Sequence, residues 1–217
     1  MTTKSNWPIP TALILLTAVP AIAGIARLYG LAGGTAVSSE NARFFAMPLP
    51  VVLHIIGATL FCILGAFQFS ASFRRNHLLW HKISGRLLMV CGMVAALSGL
   101  WMNQFYPQPP GDGIVVYWER IIFGGAMAAS IALSLSFILK RDIPNHRTWI
   151  IRGYAIGQGA GTQVFTHVPW LLLYGSAPGE FPRAILMGAG WVINIAIAEW
   201  IIRRKPKPRF RPLAIPA

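Results

Sequence analysis

The side chains best suited to chemistry in this chain are its five histidines. Four of them fall into two pairs by depth along apolar runs. His54 and His167 each stand a few residues inside the outer end of a run, and His81 and His146 stand just before the inner ends of two runs. The positions His146, Gly153, Ala160 and His167 recur every seven residues, which a straight helix keeps on one stripe with a drift of about 20° per heptad. His54 shares a helical face with Gly57, Phe61, Gly65 and Gln68, and His81 shares one with Gly85, Leu88, Gly92 and Gly99. Imidazoles from two helices, flanked by glycines that leave room for a macrocycle, suit axial ligation of haem b. The expected iron ligands are His54 with His167 or, at the other face, His81 with His146. Arg86, Arg147 and Arg152 would then neutralise propionates on the inner side, and Arg27 or Arg43 on the outer.

The same histidines also fit plainer roles. His54 and His167 would serve as interhelical hydrogen-bonding groups, and His81 and His146 as interfacial groups meeting lipid phosphate. Ionisable residues inside a membrane are expensive and mark function by default, which favours the outer pair. His77, beside Arg74, Arg75 and Asn76, belongs to a solvated loop. His146 and His167 lie 21 residues apart, about 31 Å of continuous helix. Two haems so placed would be too distant for fast transfer, so a single haem, or none, is the simpler expectation.

The elements that must position these residues are apolar helices. The chain is 55% apolar and only 12% charged, against about 25% charged in a soluble domain. A membrane span needs roughly 20 apolar residues. Six segments qualify, at about Ile9–Tyr29, Leu49–Ser70, Ile83–Asn103, Val115–Leu139, Trp149–Tyr174 and Ala184–Ile202. The expected fold is therefore an all-α, polytopic transmembrane bundle over residues 1–204. A basic, Pro-rich tail over 205–217 is too polar to bury a core and is expected to be disordered or held against anionic headgroups.

Charge sorts along these spans. All but four of the 19 Lys and Arg residues fall at Lys4, at Arg74–Arg86, at Lys140–Arg152 or in the tail from Arg203. Arg27, Arg43, Arg120 and Arg183 lie at the opposite ends, beside Glu40, Asp112, Glu119 and Glu180. This is the positive-inside pattern, and it predicts both termini in the cytoplasm of a multi-pass protein of the inner cell membrane. The net charge of +13 thus expresses topology. Nucleic acid is not an expected partner, since no continuous basic face exists. In the first run, Lys4, Ala12–Val19 and Ala21–Ile22–Ala23 resemble a signal peptide with its cleavage site. Apolar character continues through Leu28 and Tyr29, which favours an uncleaved anchor.

Other motifs narrow the chemistry. Gly153, Gly157 and Gly161 form two consecutive G-x-x-x-G steps, the small-residue pattern that brings helices together in lipid. The run Gly157–Gln158–Gly159–Ala160–Gly161 follows no strand and is not a nucleotide loop. Cys62 and Cys91 sit in apolar runs and pack as small hydrophobes. No Walker loop, G-x-S-x-G elbow or H-E-x-x-H occurs. Glu199, four residues before Arg203, is placed for a snorkelled ion pair.

The segments His81–Lys82–Ile83–Ser84–Gly85–Arg86 and His146–Arg147–Thr148–Trp149–Ile150–Ile151–Arg152, with His54 and Gln68–Phe69 upstream, resemble the predicted membrane proteins of domain of unknown function 2306. The resemblance runs from about His54 to His167, with Lys82 where that family usually has Arg. It implies a membrane location and a shared inner-face site, and no particular reaction. The likeness to four-helix b-type cytochromes is looser, because Gln68, not His, stands fourteen residues after His54. Two functions are therefore expected. One is a haem b redox carrier working with quinol or another membrane redox protein, which would make it a membrane oxidoreductase if it is an enzyme. The alternative is a non-enzymatic binding or scaffold protein whose inner face, through Arg86, Arg147 and Arg152, holds an anion or lipid headgroup.

Overall fold

A computed structural model describes residues 7–204. Nine α-helices account for most of it, and no strand occurs among the described residues. They are α1 (Pro8–Tyr29), α2 (Ala42–Ala46), α3 (Pro48–Ala66), α4 (Ala71–Asn76), α5 (Leu78–Phe105), α6 (Ile114–Leu139), α7 (Ile143–Gly157), α8 (Gly159–Tyr174) and α9 (Glu180–Arg203). A π-helical turn, Gly30–Gly34, extends α1, and a 3-10 turn, Phe67–Phe69, extends α3. Lys4 and the tail from Lys205 lie outside the described residues.

Five of the six expected spans form unbroken helices long and apolar enough to cross a membrane. They carry large exposed side chains all along their outer faces, such as Leu15, Ile22, Leu53, Leu87 and Ile122. Apolar side chains facing outward suit a lipid solvent, in which only internally bonded backbone is stable. The helix starts are set locally. Proline occupies the first turn of α1, α3 and α7, where its missing N–H costs nothing. Ser70 caps α4 and Asp142 caps α7 through their side chains. Gly175 ends α8 at φ 64°, a left-handed conformation that favours glycine.

The expected fifth span departs from a single helix. It is two helices, α7 and α8, parted at Gln158, whose ψ is −2°. The glycines at 157 and 159 give the backbone freedom to turn there. Side chains from neighbouring helices then satisfy the carbonyls released by the break. Asn194 Nδ2 donates to the Ala155 carbonyl at 3.1 Å, and Cys62 Sγ lies 3.4 Å from the Gly157 carbonyl. This corrects the heptad stripe from His146 to His167, because the two histidines belong to different helices.

The break also sets the architecture. Helix α7 packs on α6, α9 and α3, whereas α8 packs on α9 and α1. A core of Phe61, Cys62, Leu88, Met89, Ala96, Met127, Ile131, Tyr154 and Ile156 fills the bundle on the α7 side. The small residues permit this density. A methyl group at Gly57 would stand 2.8 Å from the Cys91 carbonyl oxygen, and one at Gly161 would collide with the Leu16 carbonyl. Backbones meet at these points, as the glycine spacing suggested for Gly161; Gly57, expected beside His54 to leave room for a macrocycle, is closed by α5 instead. The first helix is built into the core, since Thr17 donates to Gln158 Oε1 at 2.9 Å.

Candidate functional site: a cavity at the Asp112 end

The bundle has a basic end, carrying Arg86, Arg147 and Arg203, and an opposite end that carries Asp112. At the Asp112 end a cavity of about 380 Å³ opens between α3, α5 and α6 on one side and α8 and α9 on the other. Its floor is the top of the packed core, at Phe61, Cys62, Met127 and Ile156. Its far wall holds Gln163 and Trp191, and its mouth holds Arg43, Tyr106, Gln108 and Arg120. This size and mixture match small-molecule sites, which are mostly apolar with a few placed polar groups.

His54 lines this cavity. Its Nδ1 lies 2.8 Å from the Ala95 carbonyl oxygen. A carbonyl oxygen can only accept, so Nδ1 carries the proton, and Nε2 of the neutral ring is left as an acceptor. Nε2 has no hydrogen-bond partner among the described residues. Gly99 makes this placement possible, because a methyl group there would stand 3.1 Å from the His54 ring.

Asn103, on α5, went unnoticed in the sequence. It lines the same cavity, is nearly buried, and donates through Nδ2 to the Tyr117 carbonyl at 3.2 Å. Its Oδ1 is buried without a partner. Only its position four residues after Gly99 on the cavity face of α5 marked it out. Above it, Asp112 is fully enclosed and bridges Arg120 at 2.6 Å and Arg183 at 2.5 Å. Tyr106 Oη donates to the Met47 carbonyl at 2.5 Å and ties the α2 loop to the end of α5.

The other expected ligands do not gather here. His167 is on α8 and outside the cavity wall. Its Nδ1 bonds back to the Gln163 carbonyl at 2.8 Å, and its Nε2 is buried without a partner. His54 and His167 are therefore not brought together. The space beside the glycines expected to leave room for a macrocycle is filled by side chains from α3 and the 3-10 turn that follows it. Phe61 sits against Gly92, Gln68 against Gly85 and His54 against Gly99.

At the basic end His81 and His146 lie within electrostatic reach of each other, on adjoining helices α5 and α7. His146 is locked to α6, with Nδ1 2.8 Å from Ser134 Oγ. Arg152 is paired with Glu199 at 2.6 Å and stacks on Trp149 at 4.6 Å. Glu199 also takes the expected bond from Arg203, at 3.3 Å. Arg86 and Arg147 remain exposed. No cluster of three or more metal-ligating side chains occurs among the described residues.

Fold and site together define an integral membrane protein, an all-helical bundle with a ligand-sized cavity in one half. A family profile described as predicted membrane protein (DUF2306) matches residues 51–202, and the chain belongs to that family. The match reaches through α9, further than the motifs alone suggested, and leaves α1 outside. Neither the curated proteins nor the solved structures offer a match.

Proposed function

We propose that this protein binds a small hydroxyl-bearing amphiphile, with quinol as the chemical class, in the cavity at the Asp112 end. The observation that carries the proposal is His54, which lines the cavity with its Nδ1 tied to Ala95, so that the neutral ring keeps an unpaired acceptor at Nε2. Asn103 Oδ1 supplies a second acceptor. Two acceptors favour a molecule that donates hydrogen bonds, so the reduced quinol suits the site better than the quinone. The charge pattern supports an orientation with the basic end in the cytoplasm of the cell membrane, and the cavity then opens to the outside. The Thr17–Gln158 bond supports retention of the first helix, since its loss would strip a partner from the core.

A second reading, haem b, is favoured by one feature of the same residue. A metal-ligating imidazole is commonly oriented by donating its other N–H to a carbonyl, as His54 does. His167 is outside the cavity, so a haem there would be held by His54 together with a methionine thioether, and Met102, Met127 and Met187 line the same space. The cytoplasmic anion site loses Arg152 to Glu199 and would rest on Arg86 and Arg147.

One preparation separates these readings. The protein is expressed with haem supplementation and purified in a mild detergent. Its absorption spectrum is recorded, and a short-chain quinol is titrated against tryptophan fluorescence. We expect saturable quinol binding, weakened about tenfold by His54→Ala, the loss of one well-placed polar contact. A Soret band lost in the same variant would establish the haem reading in its place. Quinol affinity unchanged by His54→Ala, with no Soret band, would remove both.

A further inference from the structure

We infer that the ligand of this cavity carries an acidic group, a carboxylate or a phosphate, held at the mouth by Arg43 and Arg120. The inference rests on the cavity reading above and adds an acidic group to the hydroxyl-bearing amphiphile proposed there. Topology gives no reason for these arginines, because the positive-inside pattern gathers basic residues at the other end. Arg43 lines the mouth from the short helix α2, and Arg120 lines it from α6.

The acid already at the mouth does not balance them. Asp112 is occupied on both sides, by Arg120 and by Arg183. Arg27 and Arg43 form no ion pair among the described residues, and both lie over the Phe44 ring, at 4.6 and 4.7 Å. Arg43 donates from Nη1 to the Pro107 carbonyl at 3.0 Å. Its Nε is buried with no partner. Burial lowers the Arg43 pKa, Asp112 opposes that shift, and the nearby Arg120 and Arg27 add to it. A guanidinium nonetheless stays charged, so Arg43 stands at the mouth as a cation with no ion pair among the described residues.

An incoming carboxylate or phosphate would supply a counter-charge and, with a small shift of the Arg43 side chain to uncover its buried Nε, accept the unused N–H in the planar geometry that guanidinium favours. The wall changes with depth in the matching sense. Arg43, Arg120 and Gln108 stand at the mouth, and Phe61, Met127 and Trp191 lie beneath. An amphiphile with its acid outward and its apolar body inward fits that order. Such an acid can come from a free molecule or from a lipid of the adjoining leaflet.

The test uses the full chain in phosphatidylcholine nanodiscs, at a pH where carboxylates are ionised. Laurate, dodecyl phosphate and the neutral dodecanol are titrated, with thermal midpoint and tryptophan fluorescence as readouts. We expect both acids to bind about tenfold more tightly than dodecanol, Arg43→Gln to bring the affinities together, and Arg43→Lys to keep part of the difference. Replacing some phosphatidylcholine with phosphatidylglycerol identifies the source. A weaker apparent affinity for laurate marks the lipid headgroup as the acid, and an unchanged one marks a free acid. Equal affinity for laurate and dodecanol in the unmodified protein overturns this inference alone and requires no variant to fold. Binding of none of the three overturns this inference, and a flat quinol titration of the same sample overturns the cavity reading with it.

Discussion

Helices α3 and α5 run the length of the bundle, yet their two halves live in different surroundings. Toward the basic end the polar groups on and beside them are closed on protein. Gln68 bonds Ser84 at 2.8 Å, Tyr154 donates to the Cys62 carbonyl at 2.6 Å, and His146 is held by Ser134. Toward the Asp112 end, His54 Nε2, Asn103 Oδ1 and Arg43 Nε have no protein partner. The difference lies in the third neighbour. In the basic half, α7 fills the space beside α3 and α6. Beyond Gln158, α8 turns to α9 and α1, and the space it leaves is the cavity. A histidine's depth in a membrane therefore does not by itself assign it a role; the helix opposite it does.

Substitutions with opposite consequences in the two halves sharpen the comparison. The largest effect is expected from Gly57→Val. The new side chain would meet the Cys91 carbonyl and the Ala95 amide, which are backbone and cannot rotate away. Overpacking of this kind costs about 3 kcal/mol, and the yield of folded protein and its thermal midpoint should both fall sharply. Tyr154→Phe comes next. It removes the bond to Cys62 and leaves Gln158 Nε2 without its acceptor. Interhelical hydrogen bonds in membranes average only about 0.6 kcal/mol, and with the local Gln158 bond lost beside the one to Cys62 the loss should come to about 1 kcal/mol. His54→Gln in the open half should change stability less than Tyr154→Phe and ligand affinity far more. If Tyr154→Phe shifts affinity as strongly as His54→Gln does, the two halves are not separate in function. Ser134→Ala should cost about 0.6 kcal/mol and leave the cavity's ligand in place.

Much of the fold was legible in sequence because apolar length and charge placement are local properties. The five unbroken spans follow from their composition, and the close helix contact at Gly161 follows from glycine spacing, whereas the one at Gly57 was not read from it. The broken helix was legible in principle, since Gly157–Gln158–Gly159 interrupts an apolar run, and such interruptions mark sites in membrane proteins. A seven-residue stripe of His and small residues concealed it, because periodicity presumes a helix that does not bend. The site was half legible. His54 stood out as an intramembrane imidazole, but His167 resembled it in depth while lying outside the cavity. No sequence pattern fixes which helix faces α3, because that depends on where α8 turns. Arg43 was visible as an exception to the charge pattern and as a cation for an outer propionate, but nothing in the sequence set it at a cavity mouth.

The smallest expected effect tests whether the basic half can be perturbed without disturbing the cavity. Asp142 caps α7, accepting from the Asn145 amide at 3.1 Å and from its Nδ2 at 2.7 Å. These bonds, led by the one from the Asn145 side chain, hold its carboxyl below the ordinary pKa. A depressed folded-state pKa stabilises the protein fully above the ordinary carboxylate value, and the contribution is lost as pH falls through the lower folded value. Asp142→Ala should therefore lower the thermal midpoint slightly at neutral pH. The gap to the unmodified protein should hold until the pH drops below about 4 and then close. Asp142→Asn keeps a competent cap and should show less of the gap. Neither variant should alter laurate or quinol affinity, because α7 contributes only the cavity floor. An affinity change that tracks the loss of the cap would mean that α7 and α8 move as one unit about Gln158, and that the two halves are coupled through the break.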